Sequence, residues 1–585
     1  MNLKRETSMR RLSSMAAVLT AAVLVVGGCE LDVENPNDPD AKRAFQDPAG
    51  LQQLLGGAMR TWVGTRGDYY IMPLNMMADN YTASWNNAAI RFYSSVGSDC
   101  PSRCGWTNSA TAPEAAGGPT VESQWYGYYT VLSSATDVLK GIEDGVCFDD
   151  DCNVDNTLTS RNKAIAKMLQ GMALSGIALF YDQGFVVDET TDPAGIRTAP
   201  FNTRQEIRDA ALKKFDEAYT EAGSKTWDTE SEWMGVGAGR VYSSKQIQQV
   251  IRTMEAELIA LYPRNAAENT AADWARVAQY ASQGISSAPA FDWEFYIDVS
   301  SRECGLDCIK TWGNSIGTVR VDTRVANMLS TNHLDPWPGG AGNPCPTSAG
   351  IYGADKRVGD GTWGPADDFN GYATTMATAN AGTDYACSGV VIFPPARGQY
   401  HQSNLQHIRY NHLAYRGENL PEYDGTGQDP MYTRQMNDLL WAEGLLRSGG
   451  SAATAAGLIN NSRVGRGGLT ALTGAEGTAA LLAALQYEQE IEFMGQGSDS
   501  FFNRRRVDGL IAGTPRHMPV PAKEMDVLLR EIYTFGGPGK PDMSVVAGSA
   551  ADGGGTASKS NSVRSVREIW ADYRAMARAA ASRRQ

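Results

Sequence analysis

Apolar residues recur at helical spacing in many separate segments of this chain. One stripe runs from Ile165 to Leu179 and a second from Ile247 to Leu261. Apolar residues three and four positions apart lie on one face of an α-helix, so each stripe predicts an amphipathic helix packed on a shared core. Further helices are predicted at 49–62, 121–143, 204–222, 271–287, 433–448, 451–464 and 477–495.

Several predicted helices follow one another across short turns such as Ser448-Gly449-Gly450. Helix pairs in series are typical of a helical-repeat scaffold, although no clean period of about 34 residues is visible. The segments 60–120 and 290–430 differ, because they are rich in Gly, Pro, Asn, Asp and aromatic residues and show little helical period. They predict long loops with short strands, and loops of that length usually carry function.

The first thirty residues predict a bacterial lipoprotein signal. Four basic residues precede an apolar run from Met15 to Val26 that is too short to span a bilayer comfortably. The run ends in Gly27-Gly28, the small residues that a signal peptidase requires, and Cys29 follows as the lipidated N-terminus. A plain secretory signal or an uncleaved anchor is the alternative. We therefore predict a signal peptide over 1–28, a lipidated tether over 29–48 and a single domain over 49–585.

Charge and cysteine content limit the function further. The 585-residue chain has a formal net charge of -14, which argues against nucleic-acid binding and against a basic membrane-binding face. Eight cysteines remain besides Cys29, an even number that predicts disulfides in an oxidising compartment. No histidine lies among them, so a cysteine-based zinc site is not predicted. The expected pairs are Cys100 with Cys104, Cys147 with Cys152, Cys304 with Cys308 and, by elimination, Cys345 with Cys387.

Short motifs follow one another along the chain after the lipid site. The tether contains LDVENPN at 31–37, and the last third contains LLWAEGLLR at 439–447, INNSR at 459–463, EQEIEF at 488–493, FFNRR at 501–505 and MPVPAKE at 518–524. Taken together, this series resembles the SusD/RagB family of nutrient-uptake outer-membrane lipoproteins. Two departures from the family pattern are Gln489, where Arg is usual, and Gly495-Gln496-Gly497, which replaces a Glu-Gly turn.

The resemblance implies a mainly α-helical, SusD-like fold, in which tetratricopeptide-like helix pairs form a scaffold with long irregular loops on one side. It implies a lipid-anchored protein of the outer membrane that faces the cell surface and has no enzymatic activity. Such a protein captures an oligosaccharide or polysaccharide and delivers it to a SusC-like TonB-dependent transporter. A peptide-binding member of the same scaffold is one alternative, and a secreted glycoside hydrolase, which needs two carboxylates flanking a cleft, is another.

The charged residues of the C-terminal motifs have a structural interpretation. We predict that they pair between helices and fix the helix packing, rather than form a catalytic carboxylate pair. The chain also lacks the Gly-x-Ser-x-Gly, His-Glu-x-x-His and P-loop motifs of common catalytic sites. The four residues concerned are Glu443, Arg463, Glu488 and Arg504.

Candidate ligand-binding residues lie in the two loop-rich segments. Sugar rings stack their C–H faces on aromatic rings, while their hydroxyls bond to Asn, Asp and Arg side chains. The stretch 79–91 combines these groups, and a second set of aromatic residues follows after residue 290. A tryptophan that only plugs its own loop is the alternative for each aromatic. We predict ligand contacts for Asp79, Trp85, Asn86, Arg91, Trp293, Tyr296, Trp312 and Trp337, with Trp363 in the same later set.

No cofactor is predicted from the sequence. The acidic segments 149–151 and 355–368 offer the hard oxygen ligands that suit calcium. Neither segment has an EF-hand pattern, so a solvated acidic loop is the favoured interpretation.

Overall fold

The computed structural model describes most of the chain between residues 46 and 536, with internal gaps. The signal peptide, Cys29 and nearly all of the tether lie outside the described residues. The described ranges are 46–83, 87–94, 103–110, 118–192, 194–235, 238–297, 306–313, 318–331, 333–335, 353–358, 382–387, 401–403, 405–410, 427–536 and 545–546.

Helices dominate the described part, as the apolar periodicity predicts. The helix predicted at 271–287 is shorter than expected, because Asp273 caps its start and Gln283 ends it. The helices are Pro48–Arg66 (α1), Met72–Met77 (α2), Ile90–Ser94 (α3), Gly118–Glu143 (α4), Thr157–Phe180 (α5), Arg204–Ala222 (α6), Ser244–Leu261 (α7), Ala266–Ala271 (α8), Trp274–Ser282 (α9), Cys308–Gly313 (α10), Thr323–Leu329 (α11), Arg434–Ser448 (α12), Ala452–Arg463 (α13), Thr478–Glu492 (α14), Asp499–Arg506 (α15) and Ala522–Val527 (α16).

The helices pack on one another in series. Helix α4 packs on α5, α5 on α6, α6 on α7 and α7 on α9, and α12 then packs on α9, α13 and α14. Two of these helices begin with a capping box, in which Thr203 and Ser243 exchange hydrogen bonds with the third residue of the helix. Such reciprocal bonds satisfy backbone donors that a helix start otherwise leaves unpaired. The predicted helical-repeat scaffold is confirmed.

Strands are short, and in the described part they form only two-stranded antiparallel pairs. The pair β1–β5 joins the two loop-rich segments, since Tyr81 lies opposite Val321. The strands are Tyr81–Ala83 (β1), Gln183–Gly184 (β2), Asn202–Thr203 (β3), Trp293–Ile297 (β4), Val319–Val321 (β5), Tyr385–Cys387 (β6), Leu405–His407 (β7), Gly427–Tyr432 (β8), Tyr533–Thr534 (β9) and Val545–Val546 (β10).

The segment 60–120 is more helical than predicted. Helix α1 extends to Arg66, and α2 and α3 follow it. All six residues of α2 are buried, including Asn75, which donates to the carbonyl of Gly497 at 2.9 Å, and the sequence MPLNMM shows no one-sided stripe. A helix that is apolar all round gives no amphipathic signal, which is why the periodicity argument missed it.

The main hydrophobic core contains buried side chains from along the described chain, between Leu51 and Phe535. A smaller hydrophobic core lies between α12, α13 and α14. Both cores lie between the scaffold helices, where the predicted apolar stripes meet. None of the helices in the described ranges combines the length and the apolarity that crossing a membrane requires.

The disulfide between Cys147 and Cys152 is present, with Cα atoms 5.9 Å apart. Cys104 and Cys308 are each disulfide-bonded as well. Their predicted partners, Cys100 and Cys304, lie outside the described residues. Cys345, the predicted partner of Cys387, lies outside them as well.

Candidate ligand-binding site

Three partly exposed aromatic rings meet at the end of the first scaffold helix. Tyr69 and Tyr70 follow α1, and their ring centroids lie 4.0 Å apart. The ring of Trp312 on α10 lies 5.0 Å from that of Tyr69. We call Tyr69, Tyr70 and Trp312 the three-ring cluster. Partial exposure leaves ring surface open to solvent, so the cluster offers an apolar face on which a ligand could stack.

The backbone around Gly67 holds the three-ring cluster together. The carbonyl of Gly67 accepts hydrogen bonds from the N–H groups of Cys308 and Ile309, at 2.7 and 3.2 Å. A Cβ at Gly67 would lie 2.7 Å from the Cα of Asp307, so this close approach of α10 to α1 requires glycine. Next to it, Asp68 accepts the N–H of Tyr70 at 3.1 Å, and burial raises the pKa of this carboxyl.

Buried ion pairs between Lys310 and two carboxylates also hold helix α10 in place. The ammonium of Lys310 lies 3.0 Å from Asp307 and 2.5 Å from Asp429, and all three side chains are nearly or fully buried. A short helix of six residues gains little stability from its own hydrogen bonds. Its position, and with it the position of Trp312, is therefore set by these tertiary contacts.

Asp79 does not face solvent, which corrects its assignment as a ligand contact. It is 5% exposed and forms an ion pair with Arg103. Arg504 lies 3.7 Å from its other carboxylate oxygen, and Arg324 donates to its backbone carbonyl at 3.1 Å. The residue has a φ of 54°, in the left-handed region that Asp tolerates better than most residues. Its contacts fix the start of β1.

Trp293 is a core residue, and its assignment as a stacking platform is also corrected. Its ring is 1% exposed and packs 5.7 Å from Trp62 and 5.9 Å from Tyr432. Burial alternates along β4, so Trp293, Phe295 and Ile297 face the core while Tyr296 is partly exposed. The structure does not bring Tyr296 into ring contact with the three-ring cluster in the part that it describes.

The other predicted ligand contacts divide into two groups. Arg91 lies on α3 with its side chain exposed, so it is accessible from solvent. The remaining four predictions lie outside the described residues and stay predictions. These are Trp85, Asn86, Trp337 and Trp363. Tyr69 and Tyr70 are not among the predicted ligand contacts, although two consecutive aromatic residues directly after an amphipathic helix are a visible signal in the sequence.

The charged residues of the C-terminal motifs pair between helices, as predicted. Glu443 of α12 receives two hydrogen bonds of 2.7 Å from Arg506 of α15. Gln489 of α14, the departure from the family pattern, donates to Glu443 at 2.8 Å and accepts from Arg506 at 3.1 Å. Glu488 of α14 lies 3.6 Å from Arg463 of α13, and it also pairs at 2.8 Å with Arg357 in the loop-rich segment. These ion pairs give the charged groups a structural role in the packing.

A second buried charge cluster surrounds a small cavity of about 40 Å³. Arg66 lies 2.7 Å from Asp499 and 3.7 Å from Glu257, and Tyr432 donates a hydrogen bond to Glu257. Two carboxylates thus share one guanidinium in the core. Burial and the neighbouring Asp499 raise the pKa of Glu257 to about 8.

This shift predicts a stability that falls as pH rises. Glu257 holds a proton in the folded chain up to about pH 8, whereas the unfolded chain loses it near its ordinary pKa of 4.5. Between pH 4.5 and about 8 the folded state therefore binds more protons than the unfolded state. The free energy of unfolding declines as the pH rises through this range. Urea unfolding at pH of about 5 and about 8 should show this decline, and Glu257→Gln should reduce it. An equal pH dependence in both proteins would contradict the prediction.

Asp149 and Asp355, which lie in the two acidic segments considered as sources of calcium ligands, both have protein partners. Asp149 accepts the backbone N–H groups of Leu158 and Thr159 at 2.8 and 3.0 Å, and so caps the start of α5. Asp355 pairs with Arg357 at 2.7 Å. Helix capping and ion pairing account for both carboxylates.

A wide surface groove of about 760 Å³ lies across the scaffold helices α5 and α6. Its lining mixes lysines, such as Lys163 and Lys213, with acidic residues, such as Asp216 and Glu221. The lining contains no aromatic ring, so the groove offers no flat apolar face to a sugar. The three-ring cluster is the better candidate for ligand stacking.

Solved structures with a similar architecture emerge from structural comparison. A SusD superfamily protein from Parabacteroides distasonis superposes with a TM-score of 0.55 at 11% sequence identity, covering 82% of this chain and 97% of that chain. A SusD homolog from Bacteroides thetaiotaomicron gives a TM-score of 0.54 at 14% identity, covering 84% of this chain and 97% of the other. A scan of protein-family models and a search of curated proteins both give no match to this sequence.

Identities this low establish the fold alone. The neighbours are nonetheless covered almost completely, so the likeness concerns their whole architecture rather than one helix pair. The fold that the sequence motifs implied is confirmed by the serial helix pairs and by these superpositions. This chain therefore has the fold of the SusD superfamily, a mainly α-helical scaffold of tetratricopeptide-like helix pairs that carries irregular loop-rich segments.

Proposed function

We propose that the protein is a lipid-anchored binding protein of the outer membrane that captures an oligosaccharide or polysaccharide without turning it over. It then delivers this ligand to a SusC-like TonB-dependent transporter. Support for the anchor comes from the N-terminal signal and Cys29, and support for the transporter comes from the resemblance and the fold. The observation that carries the ligand class is the three-ring cluster on a SusD-like scaffold.

The chemistry of the cluster favours a sugar as ligand. Flat aromatic rings stack on the C–H faces of pyranose rings, and this contact needs no charge on the ligand. Tyr69 and Tyr70 lie on a 3₁₀ turn and Trp312 on a short helix, and buried contacts fix both elements. The rings are tilted by 38° and 36° from their neighbours, so the cluster offers a preorganised set of ring surfaces rather than one plane. Preorganisation reduces the ordering cost of binding, which suits a protein that must capture dilute ligands.

Calorimetry on the chain from residue 30 onward, against polysaccharides, oligosaccharides and peptides, tests the proposal. We expect binding to a glycan, and we expect Trp312→Ala to weaken it at least about fivefold, since one stacked ring contributes about 1 kcal/mol beyond its buried area. Trp441→Ala is the matched control, because Trp441 is also partly exposed but lies on scaffold helix α12. This variant should bind like the unmodified protein.

Three results would contradict the proposal. Binding to peptides alone would favour the peptide-binding alternative. Equal weakening by Trp441→Ala would show that the loss at Trp312 reflects general destabilisation. Hydrolysis of the bound glycan would replace a binding role by an enzymatic one. Trp85→Ala belongs in the same series, because Trp85 stays a sequence-based candidate outside the described residues.

A further inference from the structure

Two carboxylates and an imidazole converge beside β5. One oxygen each of Asp322 and Asp335 and one ring nitrogen of His401 lie within 4.8 Å of one another. Asp322 lies between β5 and α11, Asp335 follows helix α11, and His401 comes from a segment distant in the sequence. The tertiary structure therefore assembles these three ligand types from separate parts of the loop-rich segments.

Asp322 has no ion-pair partner among the described residues, in contrast to its neighbours. It is 4% exposed, and in the described part of the chain no side-chain nitrogen of Lys or Arg lies within ion-pair distance of its carboxylate. Nearby buried carboxylates do have such partners, since Asp79 pairs with Arg103 and Glu490 with Arg324. A buried carboxylate without a cation is costly, because its charge has lost water and gained no counter-charge.

Hydrogen bonds hold the two carboxylates in place, and a backbone hydrogen bond holds the His401 segment beside them. The N–H of Arg324 donates to one oxygen of Asp322 at 2.8 Å, and the hydroxyl of Thr323 donates to one oxygen of Asp335 at 3.0 Å. The N–H of Thr323 also donates to the carbonyl of His401 at 2.9 Å, which joins the two segments. Such outer contacts are typical of metal sites, where they fix the direction of each ligand.

We propose that Asp322, Asp335 and His401 bind a divalent transition-metal ion of the Zn²⁺ type. The imidazole favours such an ion over Ca²⁺, which prefers oxygen ligands alone. Ligand atoms on one tetrahedral zinc lie about 3.4 Å apart, so a small rotation of Asp335 and His401 closes the site. Asp335 is exposed and gives the ion a path from solvent.

The bound ion links helix α11, the turn that follows it and the 401–403 segment. It also places a positive charge directly beside Asp322, which has no ion-pair partner among the described residues. The site lies beside β1, whose start is fixed by Asp79, so the ion stabilises the loop-rich side of the fold. This role is independent of the ligand that the three-ring cluster binds.

Calorimetric titration of the chelator-treated chain from residue 30 onward with Zn²⁺, Mn²⁺ and Ca²⁺ tests the assignment. We expect one Zn²⁺ per chain, with an affinity that falls at least about tenfold in Asp335→Asn and in His401→Ala. Neither side chain is fully buried, so both variants should fold, which circular dichroism verifies. Asp526→Asn removes the same charge from an exposed position on α16 and should bind Zn²⁺ like the unmodified chain.

A second readout is the unfolding temperature. Zn²⁺ should raise the Tm of the unmodified chain and of Asp526→Asn, because an ion that binds only the folded state stabilises it. It should not raise the Tm of the two ligand variants. Absence of Zn²⁺ binding, binding that survives both substitutions, or selective binding of Ca²⁺ would each overturn the assignment.

Discussion

Replacing Arg506 with methionine is expected to destabilise the fold by about 3–5 kcal/mol. The guanidinium is fully buried and donates to both oxygens of Glu443, to Gln489 and to Asn269. Methionine has a similar length but no charge, so Glu443 would be left in the core without its main counter-ion. The neighbouring Arg447, 2.7 Å from Glu443, is partly exposed and can compensate only in part. Urea unfolding measures the loss as a lower midpoint.

The matched control is Arg434→Met, which removes an arginine from α12, the helix that carries Glu443. Arg434 pairs with Asp292 at 3.3 Å, but its side chain is 48% exposed. Exposed pairs contribute about 0–1 kcal/mol, so this variant should unfold almost like the unmodified protein. Similar losses in both variants would show that burial does not determine the effect and would contradict the expectation.

A single methyl group at Gly444 is expected to lower stability, whereas the same change at Gly457 raises it. A Cβ on Gly444 would lie 2.5 Å from the backbone nitrogen of Ala278, where α9 crosses α12. The obstacle is backbone, so Gly444→Ala must push the two helices apart, at a cost of about 1–3 kcal/mol. Helix α9 also packs on α7, and α12 also packs on α13 and α14. Separating α9 from α12 would therefore disturb the packing of these neighbouring helices as well.

Gly457 supplies the opposite case on α13. No atom lies within 4 Å of the position that its Cβ would take. Alanine there restricts the unfolded chain without any clash, so Gly457→Ala should stabilise by about 0.5–1 kcal/mol. Thermal unfolding of the two variants side by side separates close packing from helix propensity. A stabilising Gly444→Ala would show that α9 and α12 are not in close contact in solution.

The three-ring cluster shows how far a sequence argument reaches into the site. Tryptophans in glycine-rich loops are visible in the sequence, and Trp312 is among those that the structure leaves partly exposed. Trp293 has the same local signature, yet it lies in the core because alternation along β4 turns its ring inward. Which face of a two-stranded pair is buried depends on the helices packed against it, and no local pattern encodes that.

The sequence by itself determined the scaffold. The amphipathic stripes specified the long helices, because their periodicity is a local property of the sequence. Apolar side chains at that spacing leave water together only when the segment is helical and its apolar face packs on the core. The motifs around Glu443 and Glu488 predicted pairing between helices, since charges beside apolar stripes must find partners when the stripes are buried. The Cys147–Cys152 disulfide followed from close spacing in an even set of cysteines.

Only the tertiary structure decided the sites. The contact of Tyr69 with Trp312, the burial of Asp79 and the convergence of Asp322 with His401 join residues that are distant along the chain. Such contacts depend on how long loops close over the scaffold, and closure is governed by many weak interactions rather than by any repeat in the sequence. Periodicity therefore specified the helices, and packing specified what their loops can bind.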